Sequence, residues 1–131
     1  MTRLDHIALY TPHLEVIRQF YTRYFKGTSN EKYVNPRNGF ESYFLSFEGG
    51  TRLEIMQKSA VVTDGSETGE EYLGLTHVAF SVGSEVEVDR LTEDLRVAGY
   101  RVVGEPRRTG DGYYESVILD PDGNRVEIVA G

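Results

Sequence analysis

The chain is written twice. The stretch "LDHIALY", Leu4 to Tyr10, recurs as "LTHVAFS", Leu75 to Ser81, and "RLEI" at Arg52 to Ile55 recurs as "RVEI" at Arg125 to Ile128. His6 and His77 lie 71 positions apart and the second pair of motifs 73, a difference that small loop insertions explain. A repeat of this size constrains the architecture more than any single motif, because whatever one half folds into the other must resemble. A half of about 60 residues also exposes a sheet face that it cannot cover alone, so two such halves are expected to pack together.

Each half shows the same order of elements. In the first, Thr11 and Pro12 read as an N-cap and first helical position. Leu14, Ile17, Phe20, Tyr21 and Tyr24 then recur at helical spacing until Gly27. In the second, Ser84 to Glu87 forms a capping box, followed by Val88, Leu91, Leu95 and Ala98, then Gly99. Strands are expected at both histidine motifs, near Glu31–Val34, over Glu41–Phe47 and Thr51–Gln57, and over Arg101–Glu105, Tyr113–Leu119 and Asn124–Val129. The last two are joined by the turn "DPDG", Asp120 to Gly123, which is assigned a structural role alone. The expected class is α+β: two βαβββ modules, residues 1–57 and 75–131, within one domain spanning 1–131. Residues 58–74, acidic and rich in small residues, form a surface linker.

Composition removes several classes of function. A net charge of −7 and a pI near 4.9 leave no basic field for nucleic acid or anionic lipid. With no cysteine there are no disulfides, thiolate nucleophiles or sulfur-held metals, so any metal must be bound by nitrogen and oxygen. Neither a secretory signal nor a membrane-crossing apolar run is read, and a cytoplasmic location is the default expectation.

Strand alternation then selects four side chains. His6, Ala8 and Tyr10 share one face of their strand and Ile7 and Leu9 the other; His77, Ala79 and Ser81 likewise oppose Val78 and Phe80. In the last strand of each half Leu53 and Ile55 oppose Arg52 and Glu54, and Val126 and Ile128 oppose Arg125 and Glu127. If the apolar face of every strand lies under its helix, His6, Glu54, His77 and Glu127 all point to the other face. Two readings fit. Each glutamate can simply pair with a neighbouring arginine or histidine, since an inward charge needs a partner. Alternatively, two imidazoles and two carboxylates form a donor set that suits a divalent first-row metal and neutralises it, with positions left for water or substrate.

The segments "LDHIALYTPHLEVIRQFY", "LTHVAFSV" and "LDPDGNRVEIV" resemble the vicinal oxygen chelate superfamily, which contains glyoxalase I, bleomycin-resistance proteins, fosfomycin-resistance thiol transferases, extradiol dioxygenases and methylmalonyl-CoA epimerase. The resemblance spans essentially the whole chain. It implies paired βαβββ modules forming a curved, partly open mixed sheet, with helices on the convex side and a metal on the concave side. The order His6, Glu54, His77, Glu127 is similar to the ligand order of glyoxalase I, whereas fosfomycin-type and extradiol enzymes use two histidines and one glutamate. Glu54 is therefore the discriminating residue.

What the resemblance implies is a metal-dependent isomerase or lyase of lactoylglutathione lyase type. It would act on a small α-oxo aldehyde adduct through a metal-stabilised enediolate. The metal ligands would be His6, Glu54, His77 and Glu127. Glu127 would be the catalytic base and Glu54 a ligand doubling as second base. The cofactor would be one divalent ion per site, Ni, Co or Zn first and Mn or Fe next. Short bacterial glyoxalases carry arginine and asparagine, both contacting glutathione, where this chain has Tyr10 and Lys58, so the metal chemistry carries over and glutathione does not. A small-molecule substrate and a homodimer are the partners implied; no substrate-binding residue is assigned. The alternatives are a non-catalytic small-molecule or antibiotic-binding protein and a fosfomycin-type thiol transferase.

Other conspicuous residues receive structural expectations. Arg107, Arg108, Asp111, Tyr113 and Tyr114 read as a polar connector in a region where relatives place substrate contacts. His13 reads as a solvated surface residue, Phe20, Tyr21, Tyr24 and Phe25 as core, and Arg52 and Arg125 as partners of the glutamates.

Overall fold

The computed structural model describes residues 1–62, 73 and 75–131. The chain divides into two compact units, Met1–Asp64 and Gly65–Gly131. Most of the expected linker 58–74 lies outside the described residues; within its described part, the Val61 amide donates to the Lys58 carbonyl at 3.0 Å.

The first unit runs β1 (His6–Tyr10), α1 (Leu14–Phe25), β2 (Thr28–Ser29), β3 (Tyr33–Asn35), β4 (Phe40–Ser46) and β5 (Arg52–Gln57). The second runs β6 (His77–Ser81), α2 (Glu85–Val97), β7 (Val102–Arg108), β8 (Tyr114–Leu119) and β9 (Arg125–Val129). Both sheets are mixed and share one plan, β1-β5-β4-β2 with β3 also on β4, and β6-β9-β8-β7. In each, the first strand lies parallel to the last and the remaining pairings are antiparallel. The mixed α+β class and the βαβββ order are as the repeat implied. The first unit differs by splitting one short strand into β2 and β3. Between them the Asn30 side chain accepts from the Phe44 amide at 2.8 Å, taking a ladder position that a continuing strand's carbonyl would fill.

Each sheet carries its helix on the face the alternation rule called apolar. Leu53 and Ile55, and Val126 and Ile128, are buried there, against Ile17, Phe20 and Tyr21 of α1 and Val88, Leu91 and Leu95 of α2 respectively. Phe25 is buried with this group, while Tyr24 is half-buried. At Gly27 a Cβ would stand 3.0 Å from the Phe47 ring, so a side chain there would need that ring to give way by a few tenths of an ångström.

The start of α1 corrects the sequence reading. Its N-cap is the exposed His13, two residues later than expected; Thr11 Oγ1 accepts from the His13 amide at 2.9 Å instead of capping the helix. The cap is supplied by Gln57 at the end of β5, whose Oε1 accepts from the Leu14 amide at 3.1 Å while its Nε2 donates to the Pro12 carbonyl at 3.1 Å. A partner 43 residues away leaves no local signal. By contrast Ser84 caps α2 as expected, its hydroxyl accepting from the Glu87 amide at 3.2 Å. The "DPDG" turn is structural: the buried Asp120 accepts from the Asp122 and Asn124 amides, both at 2.9 Å.

One polar pair lies inside the second core. Thr92 on α2 donates to the Val88 carbonyl at 2.5 Å and shares a 2.7 Å hydrogen bond with Ser116 on β8. Both residues are about as buried as the aliphatic side chains around them. With the Thr92 proton committed to Val88, Ser116 is the donor to Thr92. Thr92→Val should then strand the Ser116 hydroxyl and cost ~1–3 kcal/mol, and Ser116→Ala in the Thr92→Val background should cost less than it does alone. Chemical denaturation of the four proteins of this cycle measures both, and strict additivity would contradict the pairing.

Candidate metal centre

The four side chains singled out in the sequence are set by the parallel pairing of first and last strands. In the first unit His6 stands beside Arg52 and Ala8 beside Glu54, so His6 and Glu54 are diagonal neighbours on the face turned away from α1. The small side chain of Ala8 leaves room between them. His6 Nε2 lies 3.6 Å from Glu54 Oε1. The second unit repeats this register, His77 beside Arg125 and Ala79 beside Glu127, and brings His77 Nε2 to 3.3 Å from Glu127 Oε2. The glutamates are the less exposed member of each pair, at 17% and 20% against 38% and 37% for the imidazoles.

In both units the other ring nitrogen is engaged. His6 Nδ1 is 2.7 Å from Asp5 Oδ2, and the same oxygen accepts from Arg52 Nη2 at 2.9 Å. The hydrogen bond with His6 and then the Arg52 guanidinium hold the Asp5 carboxyl below its ordinary range. Arg52 in turn lies over the Phe44 ring, 4.3 Å from its centroid, and that ring stands nearly perpendicular to the His6 imidazole with their centroids 5.3 Å apart. His77 Nδ1 is 2.7 Å from Thr76 Oγ1. Each imidazole is thus held by its Nδ1 and presents Nε2 to a carboxylate.

That arrangement fits a cation. Two ligands about 2.1 Å from one ion stand roughly 3.0 Å apart at a right angle and roughly 3.4 Å at a tetrahedral one. The two nitrogen–oxygen separations lie close to that range, and the donors are of the kind a divalent first-row ion accepts. Among the described residues, no group of three or more His, Asp and Glu side chains stands together as a cation site. The described geometry therefore supplies one His–Glu pair within each unit.

The other residues singled out in the sequence are distributed over both faces. Arg108 pairs with Glu85 and stacks 5.7 Å from the Tyr114 ring, and Tyr114 donates to Asp89 at 2.6 Å, so both tie β7 and β8 to α2. Asp111 receives the Thr109 hydroxyl, and Tyr113 is exposed. Arg107 lies instead beside Glu115, in the rung that continues through Val129 to Ser81 on the imidazole-bearing face. Tyr10 is exposed on the corresponding face of the first unit, beside Met56, and Lys58 follows the end of β5.

Glu115 was not singled out, although alternation along "YYESVIL" places it on the face of Glu127. Burial pushes its carboxyl up, and the charge of Glu127 adds to that effect against the pull of Arg107. The first unit has the buried Ser42 at the matching register position, so the duplication is broken here. A raised folded-state pKa implies that stability falls as pH rises from the unfolded carboxyl value through the folded one. Glu115→Gln should therefore raise the thermal midpoint of metal-stripped protein at pH near 7, with the gain vanishing below pH ~4. A gain that persists unchanged at acid pH would contradict this origin.

Residues 3–128 match the family model described as Glyoxalase/Bleomycin resistance protein/Dioxygenase superfamily. The chain is 33% identical over 130 residues to an uncharacterized protein, YqjT, of Bacillus subtilis (strain 168), covering 97% of this chain and 98% of that one. The fold is similar to a glyoxylase/bleomycin resistance protein/dioxygenase domain from Frankia sp. EAN1pec, with a TM-score of 0.81 at 20% identity over 100% of this chain and 98% of that one. It is also similar to a trypanothione-dependent glyoxalase I of Leishmania major, with a TM-score of 0.76 at 21% identity over 99% and 87% of the two chains. At these identities the two solved structures speak for the fold, while the match along nearly the whole sequence speaks for descent. The chain belongs to the glyoxalase/bleomycin resistance protein/dioxygenase superfamily.

Proposed function

We propose that this protein is a metal-dependent isomerase or lyase of the glyoxalase I type, in which His6, Glu54, His77 and Glu127 together hold one divalent ion. The observation that carries the reading is the doubled geometry: in each half an imidazole anchored through Nδ1 turns Nε2 toward a carboxylate. Two carboxylates balance the charge of a divalent ion, and the mixed nitrogen and oxygen set suits Ni, Co or Zn, with Mn or Fe as further candidates. An ion held there supplies Lewis-acid stabilisation of a substrate oxygen on which negative charge develops.

The chain's own carboxylates then move the proton. Glu127 takes it from the carbon bearing the hydroxyl of an α-oxo aldehyde adduct, the electrons of that C–H bond shift to form the carbon–carbon double bond, and the neighbouring carbonyl oxygen receives the charge. The hydroxyl proton passes to the former carbonyl oxygen, and return of the other proton to the adjacent carbon, from Glu127 or from Glu54 acting as second base, leaves a carbonyl where the hydroxyl stood and completes the isomerisation. Tyr10 and Lys58 stand where glutathione-using relatives carry arginine and asparagine, which favours an adduct of another thiol or a different small oxygen-chelating substrate. A glyoxalase I of similar fold from Leishmania major is trypanothione-dependent, which supports a reading in which the adduct need not be that of glutathione itself. A homodimer in the cytoplasm is part of the same proposal. No described helix is long and apolar enough to cross a membrane.

The second reading, a binding protein that sequesters a small molecule without chemistry, rests on the other explanation of the same contacts, in which each histidine and glutamate is simply an ion pair. Fosfomycin-type thiol transfer is the remaining enzyme alternative, and the carboxylate at position 54 counts against it.

Elemental analysis of the purified protein should find near-stoichiometric metal, lost from His77→Ala and from His6→Ala. Glu127→Gln should keep most of the metal, because an amide oxygen still ligates, yet lose at least ~100-fold in turnover of a hemithioacetal, because it cannot accept the proton. Unchanged turnover in Glu127→Gln would remove it as the base. A parent that carries no metal and takes up none would leave sequestration as the better account.

A further inference from the structure

The two histidines are alike in sequence and register but not in what holds them. Asp5 Oδ2 can only accept, so its 2.7 Å contact with His6 requires a proton on Nδ1. In the neutral ring that leaves the lone pair on Nε2, aimed at the Glu54 carboxylate 3.6 Å away. Two lone-pair donors then face one another with no hydrogen between them, the arrangement a cation would complete. The 2.9 Å bond from Arg52 Nη2 to the same Asp5 oxygen fixes the carboxylate from its other side. Thr76 differs: a hydroxyl can either accept from His77 Nδ1–H or donate to a bare Nδ1, so the 2.7 Å contact is compatible with both tautomers.

We propose that Asp5 is a positioning residue that locks His6 in the metal-ready Nδ1–H tautomer, and that Thr76 gives His77 no equivalent lock, so that the first half of the site is the preorganised half. The inference rests on the metal-centre reading above and adds to it an inequality between halves that the repeat alone would not suggest. A carboxylate behind a ligating imidazole also raises the basicity of the metal-facing nitrogen, and loss of such a partner typically weakens metal binding about 10- to 100-fold. A hydroxyl carries no charge and supplies less of that effect. Asp5 is exposed, so its ion pair contributes little to folding and its removal should leave the structure intact.

The test uses the full chain. In 15N-labelled, metal-stripped protein held well above the ordinary histidine pKa of about 6.5, long-range 1H–15N spectra distinguish the two tautomers of each ring. His6 should be in the Nδ1–H form in the parent, should shift toward Nε2–H in Asp5→Ala, and should be partly restored in Asp5→Asn, whose amide oxygen still accepts. Competition of each protein against a chelator for Co2+ should show Asp5→Ala weakened about 10- to 100-fold, Asp5→Asn between it and the parent, and Thr76→Val weakened by less than Asp5→Ala. An identical His6 tautomer in parent and Asp5→Ala overturns the inference whatever the metal result. So does a parent that takes up Co2+ but binds it no more tightly than Asp5→Ala, or a Thr76→Val that loses as much as Asp5→Ala. A parent whose tautomer responds as expected but which takes up no Co2+ upholds the positioning role and overturns the metal-centre reading instead.

Discussion

The parallel pairing of the first strand of each half with its last strand is the contact on which the rest depends. It joins residues about 46 to 48 positions apart, and no other pairing within a unit would set the imidazole of one motif diagonal to the carboxylate of the other. The strand ladder fixes the spacing, the alanine between them keeps the gap open, and the helix on the far face fixes which side chains are left pointing outward. Slipping either strand by one residue would turn the histidine or the glutamate under the helix and expose an isoleucine or leucine. The apolar core and the polar pair are therefore specified by the same register.

Duplication of that register supplies a set of donors that one copy lacks. A single His–Glu contact is an ordinary cross-strand partnership, and a proton between imidazole and carboxylate satisfies it. Two such pairs in one chain supply two nitrogens and two anionic oxygens, enough to neutralise a divalent ion. The surroundings of the two pairs have diverged, however. Asp5, Arg52 and Phe44 surround His6, whereas Thr76 stands behind His77 and a second acid, Glu115, stands beside Glu127. In the proposed isomerase such inequality would have a use, because holding an ion and exchanging a proton ask different things of the carboxylates involved.

Much of this was legible in the sequence for a definite physical reason. Period-two alternation and helical spacing are local properties, so the two helices, most strand boundaries, the buried face and the four outward side chains could be read from neighbouring residues. What failed was non-local. The start of α1 was misplaced because its cap is Gln57, which arrives from the far end of β5. The break between β2 and β3 depends on Asn30 reaching across to β4. Glu115 passed unnoticed because its neighbour Glu127 belongs to the adjacent strand, and only the ladder brings them together.

The sequence by itself determined that the chain is two copies of one βαβββ plan, that a histidine and a glutamate in each copy share a face, and that no sulfur ligand is present, since repetition, alternation and composition are written in the order of residues. The tertiary structure decided how far apart each imidazole and carboxylate stand, which ring nitrogen is held and by what, and which arginines serve the helix face and which the other, because those depend on register between strands and on side chains brought together from distant parts of the chain.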